Sequence, residues 1–317
     1  MSATGAPLPR ARGRNWQLAV TAAVVLTAGW VVAAHRHTVD AGTDRLAVAD
    51  RNWLVAAGAA ALATWVCAAV AQQGAVTERL PAGRLVAAQF AAGAANHLLP
   101  AGIGASAVNL RFLTRCGVST ARSATALAVK AAVGGLVRFA LAVVLLLVSP
   151  PTLRISPVVP RAGVLLAVAG GIAVAATAVA ICRPLRRGTG RAASRVLADL
   201  RAVHGRRARV CALWGGSLGF ALVHAGVLIA VVRALDVSVP AGHVLLAYLL
   251  ASGAALLLPT PGGLGSLDAA LVLTLTAAGA PGAAALSAVF GYRLLTAWLP
   301  LLPGLLVLAL LTRRSVL

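Results

Sequence analysis

The stretch "LLLPTPGGLGSLDAALVL", residues 256–273, is apolar at both ends. Its middle is interrupted by Pro259, Pro261, Gly262, Gly263 and Gly265, with Asp268 placed just before the apolar run resumes. Proline removes a backbone donor and glycine reaches left-handed conformations, so one continuous helix does not run through this segment. The apolar flanks imply a helix that stops and restarts inside a hydrophobic environment. The piece that begins near Ser266 then offers its N-terminal amides to whatever lies beyond.

The rest of the chain supplies that environment. Of 317 residues 60% are hydrophobic and 11% charged, with a mean hydropathy of +0.90, whereas soluble domains carry about 25% charged residues. Apolar runs of the length a bilayer span requires, about 20 residues, recur from end to end. The fold class expected is an all-α polytopic membrane protein of about 6–8 transmembrane helices.

The formal charge of +21, from 28 Lys+Arg against 7 Asp+Glu, sits mostly between the apolar runs. Basic loops of this kind orient a polytopic chain and meet anionic headgroups. No basic patch is interleaved with aromatics, so nucleic acid is not an expected partner. Cys67, Cys116, Cys182 and Cys211 show neither CxxC nor metal-ligand spacing, and neither a metal nor another cofactor is expected.

Candidate spans are 17–34, 54–72, 124–148, 162–182, 211–232 and 283–311, the last interrupted by Pro300 and Pro303 at positions suited to divide it. Residues 17–34 follow Arg10, Arg12 and Arg14 and exceed the ~7–15 apolar residues of a signal peptide, so they read as a span. The organisation expected is a cytosolic basic N-terminus (1–16), a first membrane half (17–182), a cytosolic basic loop (183–210) and a second half (211–317). In the basic loop Val196, Leu197, Leu200 and Val203 share one helical face among arginines, the pattern of an interfacial amphipathic helix. With the N-terminus inside, nineteen arginines fall on the cytosolic side and six on the other. The positive-inside rule then puts both termini in the cytosol, and a bacterial plasma (inner) membrane is the expected location.

Two apolar regions, 85–110 and 243–279, are broken by proline and glycine, and they resemble each other. "LLPAGIGAS" (98–106) aligns with "LLPTPGGLGS" (257–266) with one insertion. Each is followed by a small-residue helix, a glycine turn (Gly117, Gly279) and a span carrying a cation (Lys130, Arg293). In this orientation the first region starts and ends in the cytosol and the second outside. An inverted repeat is expected, with two re-entrant or broken helices near 96–106 and 257–268 whose freed backbone groups lie in protein or a wet cavity. "GGSLG", Gly215 to Gly219, has a small-xxx-small spacing suited to close helix packing.

The segment "LLPTPGGLGSLDAALVLTLTAAGAPGAAALSAVFGYRLLTAWLPLLPGLL" resembles the flippase-like, lysylphosphatidylglycerol-synthase transmembrane-domain family, the membrane portion also found at the N-terminus of the bacterial multiple peptide resistance factors. The resemblance covers essentially the whole chain and is carried by "PTPGGLG", an acidic residue three positions later, and "YR" (Tyr292, Arg293) leading to "WLP". It implies movement of lipids between leaflets, aminoacylated phosphatidylglycerol among them. Synthesis is not implied, because in two-part members a separate soluble aminoacyltransferase domain does that. Two features depart from the family pattern: Asp268 stands where members often carry glutamate, and "GIGASAV" and "AVKAAVGG" hold no acid.

Within the spans lie three cations, Lys130, Arg138 and Arg293, and a single acid, Asp268. A charge at the bilayer centre costs about 2.5–3.5 kcal/mol, so each needs a partner or water, and the surplus of positive charge favours an anion such as a lipid phosphate. The candidate substrate-binding residues are Arg293, Asp268, Arg138, Lys130, Gly262, Gly263, Gly265, Tyr292, Asn96 and His97. Plainer roles compete: Asp268 as complement to a helix N-terminus, Asp268–Arg293 as a structural bridge, Lys130 snorkelling, and His97 as a partner for broken backbone.

The function expected is a lipid transporter of the flippase type that moves an anionic or aminoacylated phospholipid, or a lipid-linked precursor, between leaflets. The rival reading is a non-transporting scaffold for a separate synthase or glycosyltransferase. A lipid-modifying enzyme fits less well. It needs a nucleophile with a base, paired carboxylates or a metal. The chain offers one intramembrane acid, scattered histidines (His35, His37, His97, His204, His224, His243) and neither GxSxG nor HExxH.

Overall fold

The computed structural model describes residues 45–98, 103–148, 205–255, 263 and 265–313, all within one compact unit from Gly42 to Leu317. The expected span 17–34, the span 162–182 and most of the basic loop 183–210 lie outside the described residues.

Asp50 opens the first helix, α1 (Arg51–Gly74), its carboxylate accepting from the Asn52 amide at 2.8 Å. The chain then runs through α2 (Ala82–Leu98), α3 (Ile103–Arg115) and α4 (Thr120–Val148). A second series follows: α5 (Arg207–Ala234), α6 (Ala241–Ala254), α7 (Ser266–Ala277), α8 (Gly282–Arg293) and α9 (Leu299–Arg313). Among the described residues four segments are long and apolar enough to cross a membrane: α1, α4, α5 and the continuous rod from Gly282 to Thr312. The others are too short. At 1.5 Å per residue the 12-residue α7 reaches only about 18 Å, well short of the ~30 Å hydrocarbon core.

Each short pair forms a hairpin, α2 against α3 and α6 against α7. Gly104 permits the first: a Cβ there would overlap the Ala95 carbonyl oxygen. Both hairpins end on a glycine with positive φ, Gly117 at 88° and Gly279 at 101°. In each case the next amide reaches back to close the helix, Val118 N to Leu113 O at 3.1 Å and Ala280 N to Leu275 O at 3.0 Å.

The most extensive interface is between α1 and α5. Their polarity is opposite: Asp50, at the start of α1, donates its amide to Ala234 O at the end of α5, while Arg209, near the start of α5, bonds Gln73 O at the end of α1. Small residues set the approach. A Cβ on Gly216 would stand 2.5 Å from Ala71 N, and one on Gly219 3.1 Å from Cys67 Sγ, whereas Gly215 faces open space. The close-packing stripe of "GGSLG" is therefore Gly216 and Gly219, not the Gly215–Gly219 pair the spacing suggests. Which face of an all-apolar helix turns inward depends on the neighbour and not on its own periodicity.

Pro300 and Pro303 do not break the last rod. Residues Leu294–Trp298 form a π turn, and the helix continues through both prolines. The π turn shifts the hydrogen-bond register just ahead of Pro300, where the chain supplies no backbone donor. The Thr296 hydroxyl meanwhile donates to Tyr292 O at 2.7 Å.

The packing partners of the two series correspond. In the first, hairpin helix α2 lies on α9, the last rod of the second; in the second, hairpin helix α6 lies on α4, the last span of the first. The pairings α1·α2 and α5·α6, and α3·α4 and α7·α8, match in the same way. Two apolar cores result, one around Val231, Tyr248 and Leu275, the other around Phe112, Leu113 and Leu213.

Candidate functional site

Arg293 ends α8 and is 5% exposed. Its Nε donates to Asp268 Oδ1 and its Nη2 to the Gly263 carbonyl at 2.5 Å. The second carboxylate oxygen, Asp268 Oδ2, accepts the Gly265 amide at 2.9 Å. Gly263 and Gly265 have φ of 70° and 84°, a conformation open to glycine and costly for other residues. These glycines turn the carbonyl of one peptide toward Arg293 and the amide of another toward Asp268, so the two side chains clamp the bend between α6 and α7. Gly262 lies outside the described residues.

Asp268 thus fills both of its plainer roles at once, capping α7 and bridging to Arg293. One consequence runs against the sequence reading: the Gly265 amide is already taken by Asp268.

Tyr292 turns to the other side of α8, where its hydroxyl meets His224 Nδ1 at 3.2 Å. His224 stacks near Tyr248, with centroids 6.1 Å apart, and contacts Phe220 edge-on at 4.5 Å. The guanidinium of Arg138 lies 5.5 Å from the centre of the Phe220 ring and donates to Gly134 O at 3.0 Å. Among the described residues no carboxylate pairs with Arg138. His224 lies within electrostatic reach of both Arg138 and Arg293.

The tip of the first hairpin approaches this cluster. His97 lies within electrostatic reach of Arg293 and Asp268. Half-buried Asn96 lies beside it, next to the close contact of Ala95 with Gly104. From His97 a small, partly open and mainly apolar cleft extends between α1, α2 and the π turn, lined by Trp65, Phe90, Gly93, Ala94, Thr296, Ala297, Pro300 and Leu301. Trp65 and Phe90 meet edge to face at 4.3 Å on its wall.

Lys130 is not part of this cluster. It lies two turns, about 12 Å, before Arg138 on α4, and its ammonium donates to Gln72 Oε1 at 3.1 Å and Gln89 Oε1 at 3.0 Å. The structure therefore gathers Arg293, Asp268, Gly263, Gly265, Tyr292, Arg138, Asn96 and His97 around one region and sets Lys130 apart. The partners missed in the sequence are Phe220, His224, Tyr248, Gln72, Gln89 and Asn109. A polar or aromatic side chain in an apolar span was the available signal for each.

A membrane-embedded bundle with two broken hairpins and a buried ion pair stapling one of them defines a polytopic protein with an internal polar site. The chain belongs to the lysylphosphatidylglycerol synthase TM region family, whose model matches residues 16–304. No curated protein matches it.

Proposed function

We propose that the protein moves an anionic or aminoacylated phospholipid, or a lipid-linked precursor, between the leaflets of a bacterial plasma membrane, with both termini in the cytosol. The family places the chain in lipid handling. The observation that carries the transport reading is Arg138, which pairs with no carboxylate among the described residues and shares His224 as a neighbour with Arg293, while His97 links the Arg293–Asp268 clamp to an apolar cleft. The headgroup phosphate binds Arg138, an amine on the headgroup approaches Asp268, and an acyl chain lies along Trp65 and Phe90.

An inverted repeat completes the reading. The opposite polarity of α1 and α5 and the reciprocal pairing of α2 with α9 and of α6 with α4 support two halves related by an axis in the membrane plane. Rocking of one half against the other then exposes the shared site to each leaflet in turn.

The test is reconstitution of the full chain into vesicles with labelled phosphatidylglycerol in one leaflet. The wild type is expected to speed its appearance in the other leaflet, and Arg138→Gln to slow it at least tenfold without loss of folded protein. Arg293→Ala with Asp268→Ala is expected to abolish it. Unchanged transport in all three variants refutes the site. No transport by the wild type, together with co-purification of a lipid synthase or glycosyltransferase, favours the scaffold reading instead.

A further inference from the structure

Lys130 ends a chain of buried amides whose directions are fixed. Asn109 Nδ2 donates to Ala105 O at 2.9 Å, Gln89 Nε2 donates to Asn109 Oδ1 at 2.6 Å, and Gln89 Oε1 accepts from Lys130. An ammonium only donates, so Gln72 also turns its oxygen to Lys130, which leaves Gln72 Nε2 pointing away. Gln72 is 0% exposed, and its Nε2 has no hydrogen-bond partner. Each amide oxygen in the cluster already accepts a bond, while Gln72 Nε2 has no acceptor and Lys130 has a third N–H to give.

The surplus is also one of charge. Among the described residues no carboxylate pairs with Lys130. In the second half the corresponding cation, Arg293, meets Asp268, three positions after Gly265. In the alignment of 98–106 with 257–266, the position matching Asp268 is Val108, which has no charge to offer. An unpaired buried donor and an unneutralised cation, one amide apart near the end of α1, call for the same thing: an acceptor with negative charge.

We propose that Lys130 Nζ and Gln72 Nε2 form a site for a small inorganic anion of halide size, a diffusible counter-ion standing where the second half carries its own carboxylate. With Gln72 fully buried and one amide and one ammonium as donors, the site suits a monatomic anion, and its position two turns along α4 from Arg138 sets it apart from the headgroup site. The inference does not depend on lipid movement.

The experiment uses the full chain in an uncharged detergent with gluconate as sole anion, titrated with chloride or bromide at constant ionic strength while thermal unfolding is followed. A saturable stabilisation by halide is expected. Lys130→Gln and Gln72→Leu are expected to weaken it at least tenfold, and Arg111→Gln, a change at an exposed cation, to leave it intact. Gln72→Glu brings a carboxylate to Lys130 and keeps the shape of the side chain, so this variant is expected to fold and be stable in gluconate with no halide response. No halide effect on the wild type overturns the proposal, as does an equal effect in wild type and Gln72→Glu. Stabilisation by added phosphatidylglycerol that needs Lys130 and Gln72, with none by halide, overturns it in favour of a lipid headgroup.

Discussion

Replacing Asp268 by alanine removes one side of the clamp on the second hairpin, and the structure sets the size of the effect. Arg293 keeps its burial, with a side chain 6% exposed against 29% for Asp268, and keeps its bond to the Gly263 carbonyl, but loses its carboxylate. Removing one partner of a buried pair costs about 3–5 kcal/mol, and the partial exposure of Asp268 moves the value to the lower end. Loss of the cap on the Gly265 amide adds about 1 kcal/mol. The expected total is about 3–4 kcal/mol. Asp268→Asn retains an oxygen for the Gly265 amide or for Arg293 and loses only the charge, so about half that is expected, near 2 kcal/mol. Unfolding in mixed micelles by increasing anionic detergent, followed by tryptophan fluorescence, measures both. If Asp268→Ala costs less than about 1 kcal/mol, or no more than Asp268→Asn, the clamp does not hold the hairpin and the reasoning fails.

Gly104→Ala drives a methyl into the Ala95 carbonyl and is expected to cost at least about 1–3 kcal/mol, while Gly135→Ala, which meets nothing within 4 Å, stays within about 0.5 kcal/mol; thermal unfolding separates them. Gly265→Ala, in open space at φ 84°, carries the backbone cost alone, about 1–2 kcal/mol. Gly263→Ala adds contacts of 3.3–3.4 Å with Leu267 and Arg293 and is expected to be the worse of the two in the same assay. Tyr292→Phe removes the bond to His224 and is expected to lower stability by about 1 kcal/mol with the helix content by circular dichroism unchanged.

The broken hairpins, their glycine turns and the Arg293–Asp268 pair were legible because each is signalled locally. Proline and glycine state where a helix cannot continue, and a lone acid in an apolar chain has few cations to meet. The positions of Gln72, Gln89, Asn109, His224 and Tyr248 in apolar helices were equally visible, but their partners were not. Lys130 meets Gln72 across 58 positions of sequence and Gln89 across 41, and that pairing follows from how α4 sits on α1 and α2. Pro300 and Pro303 misled for a related reason. A proline states that one hydrogen bond is missing, and whether the helix stops or passes through a π turn depends on what holds the rod on either side.

The three intramembrane cations are satisfied by three kinds of chemistry, and the difference bears on function. Arg293 has a carboxylate, Arg138 an aromatic face and a carbonyl, and Lys130 two amide oxygens. A cation–π contact of about 0.5–2 kcal/mol and charged hydrogen bonds of about 1.5–3 kcal/mol are each comparable to the ~2.5–3.5 kcal/mol cost of placing such a charge at mid-membrane. Folding therefore tolerates all three. Only the carboxylate cancels charge, however. Dipoles and rings stabilise an ammonium or guanidinium while leaving its long-range field in place, and in a low-dielectric interior that field is weakly screened. Arg138 and Lys130 are thus stable in the fold and still attractive to anions, Arg138 from among aromatic rings and Lys130 from within a cluster of amides.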